Sequence, residues 1–219
     1  MQDVKGIIFD MDGVILDTER IYLEIWTKVF KNYNYNLDKN VYISVMGRGR
    51  KVVKEVFKKE YGDNLPIEEM YIQKDELLKK AIENNEVPMK EGAIQVLNYL
   101  KSNNYKIALA TSAMRERVNI HLSYEKIDKY FDVIITKDDI TKTKPDPEIF
   151  MLAAEKLGID PTNCVVIEDS PAGIGAAYNA KMQVWHVEDL KAADEYIKRN
   201  SNKSFKNMHE ILEYLKKNN

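Results

Sequence analysis

The chain has 219 residues, 44% hydrophobic and 31% charged, enough for one sizeable apolar core and a second small one. Its 33 Lys and Arg against 35 Asp and Glu leave a formal charge of −2, so no overall basic field recruits nucleic acid or an anionic membrane, and any anion site must be local. The single cysteine, Cys164, excludes an intrachain disulfide and a multi-cysteine zinc site, which fits a reducing compartment.

The opening "MQDVKGIIFDMDG" reaches acidic residues before any apolar run of signal-peptide length. No stretch approaches the roughly 18 apolar residues of a membrane span. The expectation is a cytoplasmic protein with neither membrane nor nucleic-acid partners.

"KGIIFD" (5–10) is apolar throughout instead of alternating, as a strand covered by helices on both faces is. Residues 18–33, 50–60 and 66–84 carry apolar side chains at three- and four-residue spacing and read as helices. In "GAIQVLNYLKSN", Ala93, Val96, Leu97 and Leu100 share one helical face. Further buried-strand runs follow at "KIALAT" (106–111), "VIIT" (133–136), "NCVVIED" (163–169) and "QVWHV" (183–187). "DPEIFMLAAEKLG" offers Asp146 as N-cap, Pro147 at the first helical position and Gly158 at the close, and Ser170 before Pro171 offers a second N-cap. The tail "LKKNN" is expected to fray.

Alternating strands and helices imply an α/β fold, a doubly wound parallel sheet of the Rossmann-like kind. Roughly ninety residues separate the first strand from the second, far more than the 10–12 a crossover needs. An α-helical domain is therefore expected as an insert over residues 16–88, hinged on "VILDT" and "NNEVPMKEG", within a core formed by 1–15 and 89–219.

In open parallel sheets the site lies beyond the carboxyl ends of the strands. Asp10 and Asp12 follow the first run, Thr111 and Ser112 the second, and Glu168 and Asp169 the fourth, while Lys144 lies in the connection leaving the third. A lone Asp, Thr or Lys at a strand end is ordinarily a turn or cap residue; the whole combination has no such simple account. Four carboxylates in one pocket repel, and a hard divalent cation with oxygen ligands, Mg²⁺, resolves the conflict. The three histidines, at 121, 186 and 209, fall outside these clusters and are read as structural. With metal and Lys144 offsetting the acids, the site suits a phosphate dianion, with Thr111, the backbone around Ser112 and the helix N-terminus after "DSPAG" as neutral donors. One carboxylate can attack phosphorus while a second gives a proton to the leaving oxygen and later takes one from water. Asp10 and Asp12, two residues apart, suit that pair. Asp17 reads as a structural residue, the N-cap of the first inserted helix.

These residues resemble the motifs of the haloacid dehalogenase superfamily. "FDMDGVILDT" is similar to its first motif, Thr111 in "ALATSA" to its second, Lys144 in "KPDPEIF" to its third, and Glu168 with Asp169 in "VIEDSPAGIGAA" to its acidic fourth. The likeness covers essentially the whole chain, including a helical cap in the place of the insert. It implies Asp10 as nucleophile and Asp12 as acid/base, with Mg²⁺ held by Asp10, the Asp12 backbone carbonyl and Asp169, and with Glu168 contributing directly or through water. An Asp at position 12 implies phosphomonoester chemistry, because dehalogenases and phosphonate hydrolases of the family lack it. Ion pumps of the family have Lys-Thr-Gly after the nucleophile, where this chain has Met-Asp-Gly.

The subgroup with a helical cap and this first-motif wording includes sugar-phosphate phosphatases, phosphoglycolate phosphatases and β-phosphoglucomutase. "MGRGRKVV" resembles the cap's specificity loop, with Arg50 at the position of an arginine that grips a distal phosphate, and Lys79 falls near that of a cap lysine. Both also read as solvated helix-face charges. "GRG" is no dinucleotide fingerprint, since the third glycine and the preceding strand are missing. Tyr22 stands where the mutase has a histidine that suppresses water attack, and its plain alternative is packing of the first inserted helix. The expected function is therefore a Mg²⁺-dependent phosphatase of small sugar or polyol phosphates, with β-phosphoglucomutase as alternative, acting as a monomer or weak homo-oligomer. Two other classes fit less well. A two-component receiver carries its phosphoacceptor after the third strand, where this chain has Thr136, and needs no large insert. A catalytically silent binding protein would not need all four motifs. Closure of the cap to exclude water is expected of this architecture.

Overall fold

The computed structural model describes residues 4–46, 49–190 and 192–218, and divides into two compact units, Met1–Asp17 with Pro88–Asn219, and Thr18–Val87. The chain opens with strand β1 (Gly6–Phe9), whose four residues are all buried. It leaves the strand through a tight loop in which Gly13 takes φ +76°, Gly13 N–H donates to Leu16, and the Met11 carbonyl accepts from Ile15 and Leu16. Met11, Val14, Ile15 and Leu16 are fully buried, so the loop is part of the core.

Among the described residues, the second unit holds four helices, α1 (Thr18–Asn32), α2 (Lys39–Val45), α3 (Arg50–Tyr61) and α4 (Ile67–Glu83). Their apolar faces meet in an aromatic cluster. The Phe57 ring stands edge-on to Trp26 at 5.4 Å and to Phe30 at 5.2 Å, and Trp26 meets Tyr71 at 4.9 Å. Helix α2 has no counterpart in the sequence reading. Its seven residues are too short to show a period, and its start is set by Asp38, whose carboxylate accepts from Asn40 N–H at 2.7 Å.

The first unit continues with α5 (Ala93–Ser102), β2 (Lys106–Ala110), α6 (Arg115–Glu125), β3 (Val133–Ile135), α7 (Glu148–Leu157), β4 (Cys164–Glu168), α8 (Pro171–Asn179), β5 (Gln183–Val187), α9 (Glu195–Asn200), β6 (Lys203–Phe205) and α10 (Met208–Asn218). The six strands form one parallel sheet in the order β3-β2-β1-β4-β5-β6. Ile8, Ala108, Val166 and Val184 face α7, α8 and α9, where Ile149, Phe150, Ala153, Ile174, Ala177 and Ile197 close that half of the core. On the α10 side, Trp185 packs edge-on against Tyr214 at 5.2 Å. Apolar cover on both faces is why the strand runs show no polar alternation.

Five strands match the apolar runs; β6 is a sixth. Its Lys-Ser-Phe buries only Phe205, and an edge strand with one buried residue leaves no apolar signature. Ser170 caps α8 as expected, its hydroxyl accepting from Gly173 N–H at 3.1 Å with Pro171 at the first position. Asp146 does not cap α7. The helix begins one residue later, at Glu148, with Pro147 as N-cap, and the Asp146 carboxylate accepts from Glu148 N–H at 3.1 Å. Asp17 precedes α1, donates its N–H to Pro88 at 2.9 Å and lies 3.7 Å from Lys90 Nζ.

Strand β1 is the switch point: the chain proceeds to β2 and β3 on one side and to β4, β5 and β6 on the other. Phe9 is level with Leu109 and with Ile167, so the next residues, Asp10, Ala110 and Glu168, come into one row across three strands.

Candidate active site

Asp10 leaves the end of β1 and is 6% exposed. Lys144, from the connection between β3 and α7, places Nζ 2.6 Å from Asp10 Oδ1 and 2.8 Å from Glu168 Oε1, and also donates to the Ala110 carbonyl at 3.3 Å. Its ammonium lies over the Phe150 ring, 4.8 Å from the centroid, so it has an apolar floor as well as anionic partners. The second Glu168 oxygen accepts from Ser170 N–H at 2.7 Å and Ser170 Oγ at 3.0 Å. Ser170 thus holds a site carboxylate and starts α8 in one turn of chain.

Two glycines make room for these acids. A methyl at Gly173 would overlap the Glu168 carboxylate, and one at Gly13 would fall on Asp169. Asp10, Glu168 and Asp169 each bring a carboxylate oxygen within 4.8 Å of the others. Burial pushes Asp10 up to about 7, against the lowering effect of Lys144, with Glu168 and Asp12 pushing the same way as burial. Burial alone would lower Lys144, but Asp10 and Glu168 reverse this and hold it protonated above its ordinary range.

Asp12 stands outside the three-acid group. Its carboxylate forms an ion pair with Arg117 of α6. Lys144 is paired with Asp10 and Glu168 and Arg117 with Asp12, and the oxygens of Asp10, Glu168 and Asp169 could together hold a metal ion. The donor set is oxygen only, which fits a hard ion and not zinc or copper. Thr111 follows β2 directly, buried, with Oγ1 accepting from Ala113 N–H at 3.2 Å, and Ser112 beside it is exposed.

The family profile of haloacid dehalogenase-like hydrolases matches residues 7–187. The chain belongs to that family. It is 32% identical over 184 residues to a phosphorylated carbohydrates phosphatase of Thermotoga maritima, covering 82% of this chain and 83% of the relative. It is 30% identical over 191 residues to the fructose-1-phosphate phosphatase of Escherichia coli, covering 84% and 97%. Among solved structures, one titled a putative β-phosphoglucomutase from Thermotoga maritima superposes with a TM-score of 0.80 at 28% identity, over 99% of this chain and 100% of that one. This haloacid dehalogenase-like chain is thus an enzyme of hydrolase type, with phosphatases among its curated relatives. No described helix is long and apolar enough to cross a membrane.

The residues expected to select substrate lie on the inserted helices. Arg50 donates to Asp75 at 2.7 Å and lies over the Tyr71 ring. Lys74 donates to the same Asp75 at 3.3 Å and lies over the half-buried Tyr22 ring, 4.9 Å from its centroid. Tyr22, Lys74, Asp75 and Arg50 therefore form one linked set, of which the sequence reading found the two ends. Lys79 stands apart, largely exposed, 3.8 Å from Glu83 one turn away. Gly47 and Arg48 of "MGRGRKVV" lie outside the described residues.

Arg117 was also missed. It lies 105 residues from Asp12, and no local spacing could announce the pair. The only cue was a basic residue early in the helix that follows the Thr111 motif.

Proposed function

We propose that this chain is a Mg²⁺-dependent phosphatase of small phosphorylated sugars or polyols, working through an aspartyl-phosphate. The observation that carries the reading is the buried Asp10–Lys144–Glu168 arrangement at the sheet's switch point, with Asp12 two residues on and tied to a separate cation. Asp10, Glu168, Asp169 and the Asp12 backbone carbonyl would hold Mg²⁺. When bound, the ion neutralises carboxylate and phosphate charge and polarises phosphoryl oxygens.

The residues divide the work. The Asp10 carboxylate attacks phosphorus, and the bond from phosphorus to the ester oxygen breaks. Asp12, protonated at that moment, gives its proton to the leaving oxygen, so an alcohol departs instead of an alkoxide. Asp12 then takes a proton from water as that water attacks phosphorus. Inorganic phosphate and the Asp10 carboxylate are released, closing the cycle. Lys144 holds Asp10 in place and offsets charge on the phosphoryl group, while Thr111 and the backbone around Ser112 supply neutral donors. The inserted helices carry the choice of leaving group, with Arg50 and Tyr22 in the set that includes Lys74 and Asp75.

Two relatives named for phosphorylated carbohydrates and fructose 1-phosphate support the substrate class. The test is phosphate release across a panel of metabolite phosphomonoesters, run beside β-glucose 1-phosphate with glucose 1,6-bisphosphate. Free phosphate from hexose or polyol phosphates is the expected result. Glucose 6-phosphate appearing without free phosphate would establish the mutase alternative instead.

A further inference from the structure

Asp12 is paired through its backbone to Leu16 and through its side chain to Arg117. It forms a bridge with Leu16, and Gly13 N–H donates to Leu16 at 2.8 Å, so the backbone at Asp12 is tied to the loop that follows it. Among the described residues, the one side chain that donates to the Asp12 carboxylate is Arg117, through Nη2 to Oδ1. Asp10 and Glu168, by contrast, share Lys144. Each of the two acids assigned to chemistry is thus held by a different cation, from a different connection of the fold.

Arg117 is itself well placed to act as an anchor. It lies near the start of α6 (Arg115–Glu125), the helix that leaves the Thr111–Ser112 end of β2. Val118 and Leu122, buried next to it and one turn on, pin that helix to the core. His121, one turn after Arg117, is 1% exposed. Burial, then the Arg117 charge, push this imidazole down to about 4, so it stays neutral at ordinary pH and does not add a second cation near Asp12. The ion pair itself is mostly covered, with side-chain exposures of 22% for Arg117 and 25% for Asp12.

We propose that Arg117 is a positioning residue for proton transfer: it fixes the Asp12 carboxylate at the angle from which it reaches the leaving oxygen. This role rests on the phosphatase reading of Asp12 given above. A guanidinium suits it because its donors lie in a rigid plane, whereas an ammonium on a flexible stem holds direction less well. Misplacing a proton donor by about 1 Å can cost on the order of a hundredfold, and the cost is confined to steps that need the proton.

The experiment is steady-state kinetics, in Mg²⁺, of wild type, Arg117→Gln, Arg117→Lys, Asp12→Asn and the Asp12→Asn/Arg117→Gln double variant. Each is measured on 4-nitrophenyl phosphate, whose leaving group needs little protonation, and on the best alkyl phosphate found for wild type. Arg117→Gln is expected to lower the ratio of alkyl to aryl kcat/KM by about tenfold to a hundredfold, through kcat. Arg117→Lys is expected to fall severalfold short of the wild-type ratio, between the two. In the Asp12→Asn background the Gln substitution should leave the ratio where Asp12→Asn alone puts it. Equal losses on both substrates, or additive losses in the double variant, would overturn the proposal. Should Arg117→Gln not fold, Arg117→Lys carries the test, and a wild-type ratio in that variant would overturn it. A wild-type enzyme inactive on every phosphate ester, or Asp12→Asn with an unaltered ratio, would bring down the phosphatase reading itself and the Arg117 role with it.

Discussion

Gly173→Ala puts one methyl against the most tightly held acid of the site. The new carbon would overlap the Glu168 carboxylate. The helix cannot yield easily, because Gly173 N–H is bonded to Ser170 Oγ at 3.1 Å and Pro171 sets the first turn. The carboxylate must therefore move. It is held by Lys144 Nζ at 2.8 Å, Ser170 N–H at 2.7 Å and Ser170 Oγ at 3.0 Å. Charge-assisted bonds contribute about 1.5–3 kcal/mol each. Losing two of the three, less about 1 kcal/mol gained from replacing a helical glycine by alanine, gives a destabilisation of roughly 2–5 kcal/mol. Mg²⁺ affinity should fall about tenfold to a hundredfold, as it does when a ligand's supporting bonds are removed. Urea denaturation in chelator reads the first effect and calorimetric titration with MgCl2 the second. Gly175→Ala is the control on the same helix. Its methyl meets the Tyr196 hydroxyl at 2.7 Å, the far end of a half-exposed side chain, and Pro145 Cβ at 3.3 Å, but no site carboxylate, so Mg²⁺ affinity should stay at the wild-type level. A Gly173→Ala protein with wild-type urea midpoint and Mg²⁺ affinity would refute the claim that the glycine exists to admit Glu168.

Asp12→Asn should lose about a hundredfold or more in kcat on alkyl phosphates and much less on 4-nitrophenyl phosphate, and equal losses would count against a proton-transfer role. Phe57→Ala removes a fully buried ring from the inserted helices and should cost about 3–5 kcal/mol in denaturant unfolding; a loss under about 1 kcal/mol would mean the cluster is not a packed core. His121, pushed down to about 4 in the fold, takes a proton near 6.5 when unfolded, so the unfolded chain binds more protons between those values. Its neutral form stabilises the fold fully above pH of about 6.5, and about 3 kcal/mol of this is lost as pH falls through about 4. The difference in unfolding free energy between wild type and His121→Leu, measured across that window, should show the slope, and a flat difference would remove it.

The strands that carry the site were legible because burial on both faces leaves continuous apolar runs, and the acids follow directly at their carboxyl ends. The Asp10 and Glu168 convergence needed only topology, because parallel strands around a switch point deliver those positions to one place, whereas Lys144 comes from the connection beyond β3 and was placed by its motif. Helices α2, α6, α9 and α10 and strand β6 were not read from the sequence; α2 is too short for a period, α6 has almost no one-sided apolar face, and β6 is an edge strand with a single buried residue. The α7 start was misplaced by one residue because Pro147 takes the N-cap position, leaving Asp146 outside the helix with its carboxylate accepting from Glu148 N–H. Arg117 and the Lys74–Asp75 link are contacts between distant side chains, set by packing rather than by local pattern. Motif spacing locates main-chain positions; it does not say which cation answers which acid.

The central claim is that Asp10 attacks phosphorus with a divalent cation beside it. Hydrolysis of 4-nitrophenyl phosphate by wild type and Asp10→Asn, each with Mg²⁺ and with chelator, tests it most directly. The account predicts turnover by wild type in Mg²⁺ and a loss of about a thousandfold or more both in Asp10→Asn and in chelator. Turnover that survives either the substitution or the removal of metal would contradict it.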